Sequence, residues 1–227
     1  SEMCIRDRGN IAFIHTGYSN DAFLEFIINL GFKTICTASG VKNLHKEAKK
    51  YDIGVYFEPN GHGTILFNKV TQDFSELSKY YSQVIGDGLM NIAGILFILR
   101  ELSFNLDDWY NLYDEYSNRI SKVKVFDKSL FKTSYDELRL LEPELLQEYI
   151  DTICSDNLTR GFVRPSGTEN CLRIYVESKK ETIVDTCLDL IKTFILNHYL
   201  EEEFIINDRL YKVSSLKRDD INYNLSL

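Results

Sequence analysis

One short segment concentrates groups that bind phosphate. Arg164-Pro-Ser-Gly-Thr-Glu169 is a tight turn between two apolar runs. A guanidinium presents a planar fork of donors that matches two phosphate oxygens, and hydroxyls add further donors. Glycine lets the backbone come close enough to expose its N–H groups to an anion, and proline stiffens the turn. Because a plain surface hairpin would not need so many donors, we predict a phosphate site. Its members are Arg164, Pro165, Ser166, Gly167, Thr168 and Arg173.

A second turn carries groups suited to sugar hydroxyls. Within Val55–Thr64, a strand delivers Glu58, Asn60 and His62 into one Pro-Asn-Gly turn. A carboxylate accepts bidentately from adjacent hydroxyls, and an amide both donates and accepts. Asn-Gly is also the commonest signal of a β-hairpin, which needs no function. On spacing alone, a sugar site and a plain hairpin are equally supported.

A third segment, Thr37–His45, contains two groups that could reach a phosphate. These are Lys42 and His45. A loop that leads into a surface helix explains both residues as well, so this segment is the weakest candidate.

The elements that must position these turns follow from the apolar periodicity. In the first half, strands and helices alternate. Strands are predicted at Ile11–Thr16, Phe32–Thr37, Ile53–Phe57 and Thr64–Phe67, and helices at Asp21–Leu30 and Val41–Tyr51. This rhythm predicts an α/β layer with a mixed sheet, and the last two strands predict a hairpin.

The next stretch, Asp73–Leu102, is predicted to be mostly helical, and a further helix is predicted from Leu106. Later elements are a strand at Asn118–Val125, helices at Glu144–Ser155 and Glu181–Tyr199, and two strands around the turn within Arg160–Glu177. We expect a domain boundary between Glu101 and Tyr116. The tail, Glu201–Leu227, shows no recognisable pattern.

Composition excludes several functions. The 227 residues are 44% hydrophobic, enough for one large or two small cores, and the net charge is -8. So acidic a chain has no overall attraction to nucleic acid or to anionic lipid. The most apolar stretch, Ile92–Leu99, is far too short to span a bilayer. We therefore expect neither nucleic acid nor membrane as a partner.

The cysteines indicate the compartment. There are five, with wide spacings and no Cys-x-x-Cys pair. This pattern favours reduced thiols and predicts a cytoplasmic location. Residues 1–8 have no hydrophobic region and resemble a translated sequencing adapter, so we expect them to be a non-native leader.

These motifs together resemble the phosphoacetylglucosamine mutases of the α-D-phosphohexomutase superfamily. Residues 162–169 match the family pattern F-V-R-P-S-G-T-E, Gly40–His45 match G-V-K-x-L-H, and Asp52–Thr64 match D-I-G-V-Y-F-E-x-N-G-H-G-T. The Asn-Gly-His-Gly form points to the N-acetylglucosamine branch, because the glucose and mannose branches typically show Glu-x-Ser-Gly-His.

The resemblance implies a fold and an order of domains. After the leader, residues 9–105 would form the mixed-sheet α/β third domain, which binds the sugar through Glu58, Asn60 and His62. Residues 106–200 would form a smaller α+β C-terminal domain that holds the non-reacting phosphate, and 201–227 would be a tail. Full-length members would be monomers with four domains around a cleft.

The resemblance also implies a reaction, the interconversion of N-acetylglucosamine 6-phosphate and 1-phosphate for UDP-N-acetylglucosamine synthesis. A phosphoserine, Mg²⁺ and a bisphosphorylated sugar intermediate would take part. Ser39 lacks the phosphoserine-loop context, and Gly86-Asp-Gly88 cannot supply a cluster of carboxylates. We therefore expect no catalytic residue and no metal ligand here, and a fragment that binds without turnover. The alternatives are a non-catalytic phosphosugar-binding module and a mutase for glucose or mannose phosphates.

Overall fold

The structure is a computed structural model that describes residues 10–69, 74–81, 83–84 and 86–199, with the backbone of 201–206 and 209–214. These residues form two compact units. The first contains the chain up to Ser117 and also the segment Ser134–Leu138, and the second contains Asn118–Thr133 and the chain from Arg139 onward. The predicted leader lies outside the described residues.

The first unit is built on a four-stranded mixed sheet. Its strands are β1 (Ile11–His15), β2 (Lys33–Cys36), β3 (Ile53–Phe57) and β4 (Gly63–Phe67), in the order β2-β1-β3-β4. β1 is parallel to β2 and β3, whereas β3 and β4 are antiparallel. Helices α1 (Asp21–Asn29) and α2 (Val41–Ala48) follow β1 and β2 as the parallel crossovers. The predicted mixed α/β fold and its hairpin are confirmed.

Helix α2 lies against the sheet through small residues. Leu44 and Ala48 are fully buried in a cluster that also contains Ile14 and Tyr56. A Cβ atom added at Gly54 would lie 2.6 Å from the Cβ of Ala48. The absence of a side chain at Gly54 therefore lets the end of α2 approach β3 closely, which fixes the start of the helix beside the β3–β4 turn.

The prediction of a mostly helical region at Asp73–Leu102 is only partly correct. It was wrong for the first half of this region, before Gly88. Among the described residues, a 3-10 turn at Leu77–Lys79 precedes helix α3 (Gly88–Leu102), which begins after the N-cap residue Asp87. The Asp87 side chain accepts a hydrogen bond from the Met90 N–H at 2.9 Å. This cap satisfies a free helix donor and sets the start.

Helix α4 (Leu106–Tyr110) begins where the sequence predicts. Its N-terminus carries a reciprocal capping box, in which the Asn105 side chain accepts from the Asp108 N–H and the Asp108 carboxylate accepts from the Asn105 N–H, both at 2.9 Å. These bonds satisfy two backbone donors at the start of the helix.

The second unit packs two helices on a three-stranded sheet. Strands β5 (Ser117–Lys124), β8 (Thr159–Pro165) and β9 (Cys171–Ser178) form the order β5-β9-β8, in which β8 and β9 are antiparallel, and β6 (Lys132–Thr133) pairs with β7 (Leu140–Glu142). The helices are α5 (Glu144–Ile153) and α6 (Glu181–Tyr199). The core includes Ile150, Val163, Ile174 and Ile191, each at most 1% exposed.

The tail is more ordered than its composition indicates. Strand β10 (Glu201–Ile206) pairs antiparallel with β11 (Arg209–Ser214), with Phe204 opposite Tyr211. Aromatic and β-branched residues favour strands, but charged neighbours hide their alternation in the sequence. Of the helices in the described part of the chain, none is long and apolar enough to cross a membrane.

Candidate functional site

The predicted phosphate turn is the connection between β8 and β9. Arg164 and Pro165 end β8, and Cys171 begins β9. The Ser166 N–H donates to the Cys171 carbonyl at 2.9 Å and closes the turn. Ser166 is buried, with 2% of its surface exposed, and its hydroxyl accepts a hydrogen bond from the Glu169 N–H at 3.3 Å. Ser166 therefore shapes the turn from inside.

The two predicted arginines are direct cross-strand partners. Arg164 lies opposite Arg173 in the register of β8 and β9, next to the pair Val163 and Ile174. Val163 and Ile174 face the core, and side chains alternate along a strand, so both arginines lie on the other face. Like charges directly opposite each other destabilise a sheet. An anion placed between two guanidinium groups would relieve this repulsion, because it could accept hydrogen bonds from both.

The turn also presents free donors. Within the described residues, the N–H groups of Gly167 and Thr168 have no hydrogen-bond partner, and neither has the Thr168 hydroxyl. Both residues are exposed. A Cβ atom added at Gly167 would meet no heavy atom within 4 Å, so the space beside the backbone is open. Successive free amides of this kind form an anion-binding concavity.

The last residue of the turn, Glu169, carries a carboxylate that is paired with two cations. Lys122 Nζ lies 3.0 Å from Glu169 Oε1, and Arg173 lies 3.7 Å from Glu169 Oε2. The hydrogen bond from Lys122, helped by the charges of Lys122 and Arg173, lowers the pKa of Glu169. Glu169 is therefore ionised at neutral pH, and it offsets part of the positive charge of the turn.

The second predicted site is a network within the β3–β4 turn of the first unit. Asn60 Oδ1 accepts from the His62 N–H at 2.9 Å and lies 3.0 Å from His62 Nδ1. Asn60 Nδ2 lies 3.5 Å from Glu58 Oε2. Gly61 has φ 84°, which suits glycine at this bend. The turn thus brings together all three residues that the sequence singles out, and Asn60 and His62 are exposed.

Two carboxylates hold the loop before α2 in the same unit. Glu58 Oε1 accepts from the Gly40 N–H, and Glu137 Oε2 accepts from the Ser39 N–H, each at 3.0 Å. These bonds satisfy donors at the start of α2, where Gly40 offers no side-chain cap. Glu58 therefore has a structural role, since one of its oxygens holds this loop.

The third segment has less capacity for binding. His45 Nδ1 lies 2.9 Å from the Tyr56 hydroxyl, and burial, together with the charge of Lys49, lowers the pKa of His45. A neutral, hydrogen-bonded imidazole is a poor phosphate ligand. The explanation of this segment as a loop leading into a helix is the one that the contacts of His45 favour.

Several residues that support the two turns carry no signal in the sequence. Asn91 Nδ2 donates to the carbonyls of Gly61 and Gly63 at 2.9 and 3.2 Å, behind the β3–β4 turn. Asn170 Nδ2 donates to the carbonyls of Val125 and Phe126 at 3.1 and 3.2 Å. Both are amides bound to distant backbone, and no local spacing reveals such contacts.

A metal site would need several acidic, histidine or cysteine side chains close together. No group of three or more His, Cys, Asp or Glu side chains that could hold a metal ion occurs among the described residues. Asp87, the one aspartate of Gly86-Asp-Gly88, serves as the N-cap of α3. The described residues therefore offer no cluster that fits a magnesium ion.

Two family models match the chain in succession. Residues 1–83 match "Phosphoacetylglucosamine mutase AMG1, domain III", and residues 152–193 match "Phosphoglucomutase/phosphomannomutase, C-terminal domain". The phosphoacetylglucosamine mutase 1 of Schizosaccharomyces pombe is 34% identical over 207 residues, which are 82% of this chain and 40% of that protein. The chain belongs to the phosphoacetylglucosamine mutase family. The rice member is 38% identical over 200 residues, which are 77% of this chain and 35% of that protein.

Solved structures of phosphoacetylglucosamine mutases share the fold. An N-acetylglucosamine-phosphate mutase in a substrate complex superimposes with a TM-score of 0.77 at 33% identity, over 83% of this chain and 39% of that one. The Aspergillus fumigatus enzyme in complex with GlcNAc-6P and magnesium has a TM-score of 0.77 at 30% identity, over 83% and 42%. The chain thus spans about two fifths of the length of the mutases that it matches.

Proposed function

We propose that this chain is the sugar- and phosphate-binding part of a phosphoacetylglucosamine mutase, which interconverts N-acetylglucosamine 6-phosphate and N-acetylglucosamine 1-phosphate. The observation that carries the proposal is the cross-strand pair Arg164 and Arg173, beside the free amides of Gly167 and Thr168. Two guanidiniums and two amides in one turn form a binding site for a phosphate dianion, and the turn lies within the matched C-terminal domain.

The proposed role of the turn is to hold the phosphate that does not react. Binding energy from a remote phosphate can fix the position of the reacting oxygen and so lower the barrier elsewhere. We propose residues 9–105 as the third domain and 106–200 as the C-terminal domain, in line with the order of the two family models. We assign no catalytic step to the described residues.

The proposed role of the β3–β4 turn is to contact the sugar. Glu58 Oε2 and the Asn60 side chain offer acceptors and donors to hydroxyl groups, and His62 fixes the Asn60 orientation through two contacts. The identity of Asn60 favours an N-acetylglucosamine phosphate over a glucose or mannose phosphate. The Aspergillus enzyme was solved with GlcNAc-6P and magnesium. For this chain, the sugar is a proposal, and we place no magnesium ligand on the described residues.

Calorimetry with purified chain tests the proposal. We expect N-acetylglucosamine 6-phosphate to bind, and Arg164→Ala to weaken binding by at least about tenfold through the loss of a bidentate charged contact, which contributes roughly 1.5–3 kcal/mol. Arg119→Ala is the matched control, because Arg119 pairs with Asp185 on the surface of the same unit at 3.1 Å. Unchanged affinity in Arg164→Ala would remove the turn from the site.

A non-catalytic phosphosugar-binding module is the second candidate. Such a module would bind the phosphosugar through the same two turns. The two candidates predict the same binding but differ in turnover. Conversion of N-acetylglucosamine 6-phosphate by the full product of the gene would support the mutase, and absence of conversion with intact binding would support the module.

A further inference from the structure

The ammonium group of Lys128 lies behind the phosphate turn. Lys128 Nζ donates to the carbonyl of Ser166 at 2.7 Å, to that of Glu169 at 3.0 Å, and more weakly to that of Gly167 at 3.5 Å. All three acceptors belong to the turn, whereas Lys128 comes from a 3-10 turn that follows β5. One cation thus holds three of the carbonyls of the turn on one side.

Because peptide groups are planar, the contact with Lys128 also determines which way the neighbouring N–H groups point. A trans peptide is planar, and its carbonyl and its N–H point in opposite directions. When the Ser166 carbonyl turns toward Lys128, the N–H of Gly167 must turn away. The same holds for the Gly167 carbonyl and the N–H of Thr168. Neither of these two N–H groups has a hydrogen-bond partner among the described residues.

We propose that Lys128 is a positioning residue for phosphate recognition, which turns the Gly167 and Thr168 amides toward the anion without touching it. The inference rests on the proposed phosphate site. A positive charge on the carbonyl side also polarises the peptide groups, so that their N–H groups become better donors. Lys128 acts on the phosphate through the backbone, unlike Arg164 and Arg173.

The position of Lys128 itself is fixed by the neighbouring backbone. Its N–H donates to Asn170 Oδ1 at 3.2 Å, and Asn170 Nδ2 returns two bonds to the preceding residues, Val125 and Phe126. On the other side, Asp127 Oδ1 accepts from the Ser129 N–H at 2.8 Å. The 3-10 turn and the phosphate turn are therefore joined at several points, and the lysine side chain completes the connection.

A simpler role must be distinguished, in which Lys128 only adds positive charge near the turn. Lys124 offers a matched control, because it is an exposed lysine four residues earlier, on β5. Lys128→Ala and Lys124→Ala remove the same charge from the same unit. Only the first removes the three carbonyl contacts.

The first measurement needs no phosphate. Residual dipolar couplings of the ¹⁵N-labelled chain report the orientation of individual N–H bonds. We expect Lys128→Ala to change the couplings of Gly167 and Thr168, and Lys124→Ala to leave them unchanged. Propylammonium chloride, which replaces the missing end of the lysine side chain, should restore the original couplings of the Lys128→Ala variant. Unchanged couplings in Lys128→Ala would overturn the proposal.

The second measurement is a titration with inorganic phosphate. We expect Lys128→Ala to bind about tenfold more weakly than the unchanged chain, the loss of roughly one well-oriented hydrogen bond to a charged group. Lys128→Arg, which keeps the donors, should recover most of the affinity. Equal losses of phosphate affinity in Lys128→Ala and Lys124→Ala would show that Lys128 contributes only its positive charge, and would contradict the proposal.

The two measurements separate the two proposals. If the unchanged chain does not bind phosphate but Lys128→Ala reorients the two amides, the proposed phosphate site fails and the positioning of the backbone stands. If phosphate binds and the amides do not move, the positioning role fails alone. If Lys128→Ala does not give a folded spectrum, Lys128→Gln takes its place, since its side-chain amide keeps two donors without the charge. A partial loss of affinity is then expected, and no loss overturns the proposal.

Discussion

Arg164 and Arg173 lie opposite each other on β8 and β9, with their side chains on the sheet face that points away from the two helices. Strand pairing usually places unlike charges at such positions, because two like charges cost free energy when nothing lies between them. The cost is compatible with a stable fold since one neighbouring position, Glu169, supplies a carboxylate 3.7 Å from Arg173. This pair is the basis of the proposal that the unit binds an anion here.

The first prediction concerns the opposing effects of one substitution. In Arg173→Met, the cross-strand repulsion disappears, so the phosphate-free protein should be as stable as the unchanged chain or more stable by about 0.2–1 kcal/mol. Phosphate should stabilise it less, because stabilisation by a ligand follows its affinity. Thermal unfolding with and without phosphate measures both effects. A large loss of stability without phosphate would show that Arg173 is needed for folding. Arg119→Met is the control.

The second prediction concerns the open space beside Gly167. A methyl group there would meet no protein atom within 4 Å, and Gly167 does not have the positive φ that disfavours other residues. Gly167→Ala should therefore fold with unchanged stability. It should bind phosphate less well, since the new methyl group occupies space beside the free amides. Calorimetry with inorganic phosphate checks this, and full affinity in the variant would place the anion elsewhere.

The third prediction concerns packing at Gly54. A Cβ atom there would lie 2.5 Å from the Ala48 carbonyl oxygen as well as 2.6 Å from its Cβ, so α2 would have to shift. Gly54→Ala should lower the free energy of unfolding by about 1–3 kcal/mol, the usual cost of overpacking. In Gly88→Ala, the new methyl group meets nothing within 4 Å at the first position of α3, so this control should be neutral or stabilising. Urea unfolding compares the two.

The fourth prediction concerns pH. Burial lowers the pKa of His45 from its usual 6.5, so the folded protein binds this proton less readily than the unfolded chain does. Above pH 6.5, His45 is neutral in both the folded and the unfolded chain and does not affect stability. As the pH falls from 6.5 through the lower pKa of the folded state, the unfolded chain takes up the proton more readily and the free energy of unfolding decreases. His198, whose pKa burial also lowers, adds to the same loss. His45→Asn should therefore lose less stability than the unchanged chain between pH 7 and about 5 in urea unfolding. An identical pH dependence in His45→Asn would contradict this, and His62→Asn, at an exposed position, is the control.

The local part of the site could be predicted from the sequence. Arg164–Glu169 is flanked by apolar runs that predict β8 and β9. A tight turn between two adjacent strands keeps its residues close together, and this does not depend on contacts with distant parts of the chain. The same reasoning holds for Glu58, Asn60 and His62, which one hairpin turn brings into contact. Motifs of this kind need no tertiary information.

The non-local part could not be predicted. Lys128 reaches the turn across 38 residues, and its own surroundings, Phe-Asp-Lys-Ser, resemble any surface turn. The start of α3 depends on the cap at Asp87, which a periodicity spread over Asp73–Leu102 obscures. The pairing of β10 with β11 was missed because charged residues interrupt the apolar alternation. The Lys128 contact is distant along the chain, whereas the Asp87 cap and the β10–β11 hairpin are local features whose signals neighbouring residues hide.

The most direct test of the central claim is a crystal structure of this chain with N-acetylglucosamine 6-phosphate bound. We expect the phosphate to receive hydrogen bonds from Arg164 and Arg173 and from the N–H groups of Gly167 and Thr168, at the usual distances of about 2.7–3.2 Å. A phosphate bound elsewhere on the chain, with this turn vacant at saturating ligand, would contradict the account.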